Sequence, residues 1–357
     1  MSTIVSVIFA ILLFSILIFV HELGHFMMAK AFKVQVNEFS MFMGPAIFKK
    51  KIGETLYSLR CIPMGGYCAM EGEDEDTDNP RSFQKAAWWK RLIILVAGAA
   101  MNFIFGFLIF AIIYLPSDKI TVPVIATFEQ GSTLNVEGGL QAGDEILEVD
   151  GEKIYVASDF SMILQINGGT THDLVVLRNG EEVLLNDFKM ETHEFPNEDG
   201  TTSQRYGMTF SLIEPTFVEK LSYIWNYTID NVRNVRMSLG MLFTGKAGVK
   251  DMSGAVGIVG MMSDAATSSA SWMDGLMTIL FFGGFIAVNL AVMNLLPIPA
   301  LDGGRAVALL ITAGIEGITK KKINPKYEGY IHGAGMILLL GFMALITFKD
   351  IFTIFKG

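Results

Sequence analysis

Four long apolar stretches constrain this chain more than any other feature. A helix needs roughly 20 apolar residues to cross a bilayer. Such runs occupy about 4–28, 92–115, 277–296 and 330–355. The first has no basic n-region and no small-x-small cleavage site, so it reads as a retained span, not a removed leader. Composition agrees. Of 357 residues, 51% are hydrophobic and 18% charged, where soluble domains carry about 25% charged residues. The net charge of −9 comes with no basic stripe to neutralise phosphates, which argues against a nucleic-acid partner. The two cysteines, Cys61 and Cys68, cannot form a disulfide framework and read as small packing residues.

Basic residues near span ends mark cytoplasmic connections. Lys30, Lys33, Lys49, Lys50, Lys51, Arg60, Arg81, Lys85, Lys90 and Arg91 lie between the first two spans. Arg305, Lys320, Lys321, Lys322 and Lys326 lie between the last two. Both termini and the long middle connection should then be extracytoplasmic, in a bacterial inner or plasma membrane. The acidic run 71–78 reads as a solvated loop.

The expected fold is an α-helical polytopic membrane protein with four transmembrane helices. Residues 1–118 form an N-terminal membrane part with two spans. Residues 119–214 form a compact β-rich domain, with β-branched runs between the turn signals Asp150-Gly151, Asn179-Gly180 and Asp199-Gly200. Residues 215–272 hold an amphipathic helix, with apolar residues at helical spacing from Phe217 to Val235, then a small polar linker at 263–271. Residues 273–357 form the C-terminal membrane part. The stretch 39–70, with Gly44-Pro45, a strand-like run at 55–62 and Pro63-Met64-Gly65-Gly66-Tyr67, reads as a hairpin dipping into the membrane. Such backbone is tolerable there only if buried in protein or lining a wet cavity.

The chemistry centres on His21-Glu22-Leu23-Gly24-His25. Residues four apart share a helix face, so both imidazoles can bind one zinc, with Glu22 a candidate general base. Catalytic zinc takes three protein ligands and leaves a position for water, which the metal makes nucleophilic. The motif ends an apolar span, where ionisable groups are expensive and usually functional. A third ligand must come from elsewhere. His172 and His193 fall on the wrong side of the membrane; His332 and Asp302 are open candidates. Asp302 follows a span that runs through Asn289 and Asn294 to Pro297 and Pro299, and Gly303-Gly304 come next. Prolines end the helix and glycines permit a tight turn, which would present a carboxylate at membrane depth. Buried amides at Asn289 and Asn294 cost free energy unless hydrogen-bonded; gluing spans together would also explain them.

These segments resemble the site-2 protease family of intramembrane zinc metalloproteases, in the branch typified by the regulator-of-sigma-E protease. The similarity rests on His21–His25, on Asn294 through Asp302-Gly303-Gly304, on Gly44-Pro45, on 63–67, and on 82–91 through Ala97-Gly98 to Asn102. It covers essentially the whole chain in order. The family often has Gly-Pro where this chain has Gly98-Ala99. The resemblance implies Zn2+ held by His21, His25 and Asp302, with Glu22 as base. It implies that Asn289, Asn294, Pro297 and Pro299 shape substrate binding, and that 39–70 is a membrane-reentrant β-element pairing with unwound substrate. It implies a PDZ fold for the extracytoplasmic domain. It also implies single-span membrane proteins as substrates, either anti-sigma factors or remnant signal peptides, cut within the lipid bilayer.

Rival classes make different demands. A transporter with broken helices would show flux in vesicles, and the chain has no internal repeat of spans. A membrane scaffold with a vestigial metal site would lack activity. An anchored soluble-type metalloprotease would carry its motif outside the bilayer, against the apolar residues before His21.

Overall fold

The computed structural model describes residues 1–73, 77–196, 201–320 and 326–356, with side chains described except at 63, 64, 249, 326–328 and 354–356. Asp199-Gly200 and residues 74–76 of the acidic run therefore lie outside the described residues. In chain order the elements are α1 (Thr3–Ala31), β1 (Val36–Ile52), β2 (Thr55–Met70), α2 (Trp88–Tyr114), β3 (Ile120–Phe128), β4 (Glu145–Val149), β5 (Glu152–Lys153), α3 (Ala157–Asn167), β6 (Thr171–Arg178), β7 (Glu181–Lys189), β8 (His193–Pro196), β9 (Thr202–Arg205) and β10 (Met208–Ile213). They continue with α4 (Phe217–Phe243), α5 (Ala255–Thr267), α6 (Trp272–Asn294), α7 (Asp302–Thr319) and α8 (Lys326–Lys356). Two compact units result: Met1–Ile113 with Asn231–Gly357, and Tyr114–Asp230.

The first unit contains helices long and apolar enough to cross a membrane at α1, α2, α6 and Gly329–Thr353 of α8. Glycine sets how closely they meet. A Cβ on Gly283 would lie 2.4 Å from Leu13 of α1, one on Gly284 2.7 Å from Phe110 of α2, and one on Gly106 2.7 Å from Val288 of α6. Apolar side chains gain little from meeting one another instead of lipid, so close backbone approach carries the packing. α6 starts at Trp272, earlier than hydropathy suggests, because Ser271 caps it: its hydroxyl accepts from the Asp274 N–H at 3.1 Å.

The stretch 263–271 is not the linker that its small polar residues suggest. Residues 263–267 are the end of α5, with Met262, Ser263 and Ala266 buried. Gly275 of α6 is so close to Ala266 that a Cβ there would lie 2.7 Å from the Ala266 carbonyl. Smallness serves helix contact, not flexibility.

β1 and β2 form the expected hairpin, longer than its strand-like core. Residues 36–41 pair with 66–70 and also lie beside 56–59, while 46–52 return against 55–60. The bend in β1 falls at Phe42 (φ 73°) and Gly44 (φ 84°). Arg60 ties it, donating to the Gly44 carbonyl at 2.6 Å and to Glu38 at 2.7 Å.

The second unit carries a sheet in the order β10-β3-β4-β6-β7, with β5 on β4. Alternation along β6 sends His172, Leu174 and Val176 inward, where Ile125, Ile146, Phe160 and Ile163 are buried with them. Asn179 (φ 52°) and Gly180 (φ 85°) make the tight turn between β6 and β7, as an Asn-Gly pair should. Asp150 (φ 51°) turns the chain after β4 and acts as a staple. It accepts from His172 Nδ1 at 2.7 Å, Asn167 Nδ2 at 2.8 Å and the Asp173 N–H at 2.9 Å. Burial pushes this carboxyl up, but those hydrogen bonds outweigh it and hold it below the usual carboxylate range.

A folded-state pKa below the unfolded value of about 3.9 stabilises above that value and is lost as pH falls through the folded one. Asp150→Ala should therefore speed amide exchange in β4 and β6 of the full-length protein at neutral pH, by an amount equivalent to about 1–3 kcal/mol. The difference should shrink below about pH 4. Unaltered exchange at neutral pH would remove the staple.

Candidate active site

α1 is apolar and unbroken through Ala31, and only its last turns carry His21, Glu22 and His25. Helical spacing stacks the two imidazoles on one face, with ring centroids 4.8 Å apart. His25 is buried, and its Nδ1 lies 2.8 Å from the Ile94 carbonyl of α2. Nδ1 must donate in that contact, so Nε2 carries the lone pair. α2 comes this close because Gly98 faces the pair: a Cβ there would lie 2.4 Å from His25 Nε2 and 2.7 Å from His21 Cε1.

The third group arrives by a sharp reversal. α6 ends at Asn294, Pro297 and Pro299 follow, and α7 begins at Asp302. Ala300 takes a left-handed φ of 80°. A Cβ on Gly303 would lie 2.3 Å from the Leu295 carbonyl group, and one on Gly304 2.2 Å from the Ile298 oxygen. Only glycine lets the first turn of α7 lie directly on the incoming loop.

The result is a near-equilateral triangle. His21 Nε2 and His25 Nε2 are 3.2 Å apart, and Asp302 Oδ2 lies 3.1 Å from the first and 3.3 Å from the second. Asp302 Oδ2 is buried without a hydrogen-bond partner among the described residues. Tetrahedral zinc with bonds near 2.0–2.1 Å separates its ligands by about 3.3 Å, so these three residues fit that ion and leave a fourth position. Among the described residues this is the one cluster of three or more His, Cys, Asp or Glu side chains close enough to share a metal. His332, the other candidate from sequence, lies outside it. Its Nδ1 accepts from the Ala300 N–H at 3.1 Å.

Glu22 lies beside β2. A Cβ on Gly66 would be 3.5 Å from Glu22 Cγ, and the carboxylate interacts with the Cys68 N–H. Asn294 comes to the site, its Nδ2 3.4 Å from His21 Nδ1. Pro299 faces α8, where a Cβ on Gly335 would meet it at 2.5 Å, and Pro297 is exposed in the same loop. Asn289 lies further back in α6, its Oδ1 buried without a hydrogen-bond partner among the described residues. Two features carry no readable sign in the sequence: the Ile94 carbonyl and the Arg305–Glu73 ion pair tying α7 to the segment after β2. Asn102 also reaches the site, its Nδ2 3.4 Å from His21 Nδ1. Asn102 stands in the matched motif, but its direction toward His21 depends on how α2 packs.

Apolar spans that close on two imidazoles and a carboxylate define a membrane metalloenzyme site. The model of peptidase family M50 matches residues 9–342. A Clostridium perfringens protein bearing the name zinc metalloprotease is 37% identical over 97% of this chain and 98% of its own length. A Fusobacterium nucleatum protein with the same designation is 33% identical over 97% and 98%. The zinc metalloprotease RasP of Shouchella clausii is 27% identical, again over 97% and 98%. The chain belongs to peptidase family M50, the site-2 proteases. It is an integral membrane metalloprotease with zinc as its cofactor.

Gly98→Ala tests the wall that α2 provides. The added methyl must displace an imidazole or push α2 away from α1, so zinc content of the purified variant should fall well below one ion per chain. Full zinc loading would show that the helices can separate without cost to the site.

Proposed function

We propose that this protein hydrolyses peptide bonds in or near the transmembrane segments of single-span membrane proteins, as the cutting step of regulated intramembrane proteolysis. Anti-sigma factors and remnant signal peptides are the expected substrate classes. The observation that carries the proposal is the donor triangle, which joins the end of one apolar helix to the carboxylate that follows another. In this reading His21, His25 and Asp302 hold the zinc. When bound, the ion supplies Lewis-acid polarisation of the scissile carbonyl and acidifies water. Glu22 takes the proton from the attacking water and returns it to the leaving amine.

Helical substrate must first be unwound, because its backbone carbonyls are engaged. Residues 66–70 form an outer segment of the β1–β2 sheet, and extended substrate could add there as a further strand. Asn294, partly exposed at the end of α6, would hold a backbone group of that substrate. Pro297 and Pro299 would shape the approach, with Asn289 supporting from within α6. The hairpin would be membrane-reentrant, entering from the cytoplasmic side, and both termini would be extracytoplasmic. The β-rich unit at 119–214 would be an extracytoplasmic PDZ domain. Its outer strands, β10 and β7, suit uptake of an extended tail.

Two variants test the assignment in detergent-purified protein, with cleavage of a model single-span substrate measured beside zinc content. Asp302→Ala should lose both metal and cleavage. Glu22→Gln should keep zinc and lower the cleavage rate by at least about 10²–10⁴-fold. If the Asp302 variant keeps full zinc and cleavage, the third ligand lies elsewhere. If the Glu22 variant loses zinc in step with activity, Glu22 supports the fold and is not the base.

A further inference from the structure

The two ligand histidines are held differently on the side away from the triangle. His25 has a backbone acceptor, the Ile94 carbonyl, for its Nδ1–H. His21 has none. Its Nδ1 faces two carboxamides, Asn102 Nδ2 and Asn294 Nδ2, each at 3.4 Å. Both contacts present a nitrogen to a nitrogen. If His21 gives its Nε2 lone pair to the metal, Nδ1 carries the proton and needs an acceptor. A carboxamide meets that demand by turning over, which exchanges oxygen for nitrogen with little change of shape.

Which amide turns is decided by burial. Asn102 is 1% exposed, and its Oδ1 is buried with no hydrogen-bond partner among the described residues. A buried acceptor left unmatched costs about 1–3 kcal/mol. The turn gives Oδ1 the His21 Nδ1–H as its donor, and the amide N–H groups take the place that Oδ1 leaves. Asn294 has no comparable deficit, because it is partly exposed where α6 ends and water or substrate can meet its amide. Asn102 also lies one turn after Gly98, on the face of α2 that Gly98 turns to the imidazoles.

We infer that Asn102 is the positioning residue for His21, accepting the His21 Nδ1–H through Oδ1 in the zinc-loaded protein, so that Asn294 is left for substrate. The inference rests on His21 being a ligand. Asn102 does for His21 what the Ile94 carbonyl does for His25, and the two supports stand two turns apart on α2. Outer acceptors of this kind typically change metal affinity 10–100-fold.

The test is the apparent zinc dissociation constant of the full-length protein in detergent, by competition with a chromophoric chelator. It compares wild type with Asn102→Ala, Asn102→Leu, Asn102→Asp, Asn294→Ala and His21→Ala. The visible spectrum of the Co2+-loaded proteins reports on ligand geometry, independently of cleavage. Asn102→Ala and Asn102→Leu should bind zinc 10–100-fold more weakly and shift the Co2+ bands. Asn102→Asp, which keeps an acceptor in the same place, should stay within a few-fold of wild type. Asn294→Ala should bind zinc as wild type does. Wild-type affinity in the Ala variant, or an Asp variant as weak as Ala, would reduce Asn102 to packing and overturn the inference. Weakening by Asn294→Ala in place of Asn102→Ala would transfer the role to Asn294. His21→Ala separates the two levels: if it keeps wild-type affinity, the ligand assignment itself fails.

Discussion

Three lone pairs held 3.1–3.3 Å apart are an unfavourable arrangement in an apolar setting unless a cation lies among them, and the surrounding helices must force it. α1 contributes two of the groups through regular helix alone. The third demands that the chain stop α6, reverse within seven residues at 295–301 and restart as α7. Glycine makes each approach possible: Gly98 where α2 meets the imidazoles, Gly303 and Gly304 where α7 settles on its own loop. At these positions a methyl group would be placed inside another atom, so the constraint is steric before it is chemical.

That reversal needs bracing, and α8 provides it. His332 takes the N–H of the strained residue Ala300, and Gly335 lies flush against Pro299. Further along α8, buried Asp350 accepts from the Gly254 and Gly257 N–H groups, each at 2.9 Å. A carboxylate at the start of α5 satisfies otherwise unpaired amides and meets the positive end of the helix dipole. Lys349 adds a hydrogen bond to the Met252 carbonyl. α5 in turn shares one buried cluster with α1 and α6. The loop that delivers Asp302 and the helix that delivers both histidines are thus held from the same element, although they are far apart in sequence. His332 looks like a spare metal ligand in the sequence because histidine is rare in spans. Its place in the structure is mechanical.

The spans, the hairpin, the β-rich segment and the two histidines were readable, because each depends on periodicity or on a short local motif, whereas Asp302 stood level with His332 until the family resemblance chose it. What escaped depends on partners distant in the chain. Ser263 and Ala266 read as linker by composition, yet both are buried in α5 and Ala266 is where α5 meets α6; small residues are flexible in one context and close-packed in the other, and only the neighbour decides. α3 was equally hidden: Phe160, Ile163 and Leu164 are buried, but its eleven residues are short and flanked by turn signals. Asn102 was visible as part of a matched pattern, while its bearing on His21 needs the α1–α2 crossing. The supporting Ile94 carbonyl is backbone and leaves no mark on residue identity.

The two outer segments of the β1–β2 sheet are unequal in a way that bears on the proposed reaction. Residues 46–52 carry Lys49, Lys50 and Lys51, all exposed, and lysines on an outer strand deter further strand pairing. Residues 66–70 carry no charge: Gly66, Tyr67, Cys68, Ala69 and Met70. They also lie beside Glu22. A strand added to the lysine side would gain nothing chemically, since it would sit a whole sheet away from the base. One added beside 66–70 would bring its backbone to the side of the sheet where Glu22 stands. In the proposed reaction the lysines would disfavour pairing at the edge far from Glu22, so that a substrate strand would add beside 66–70. Selectivity for unwound substrate would then arise from the sheet before the metal acts on any bond.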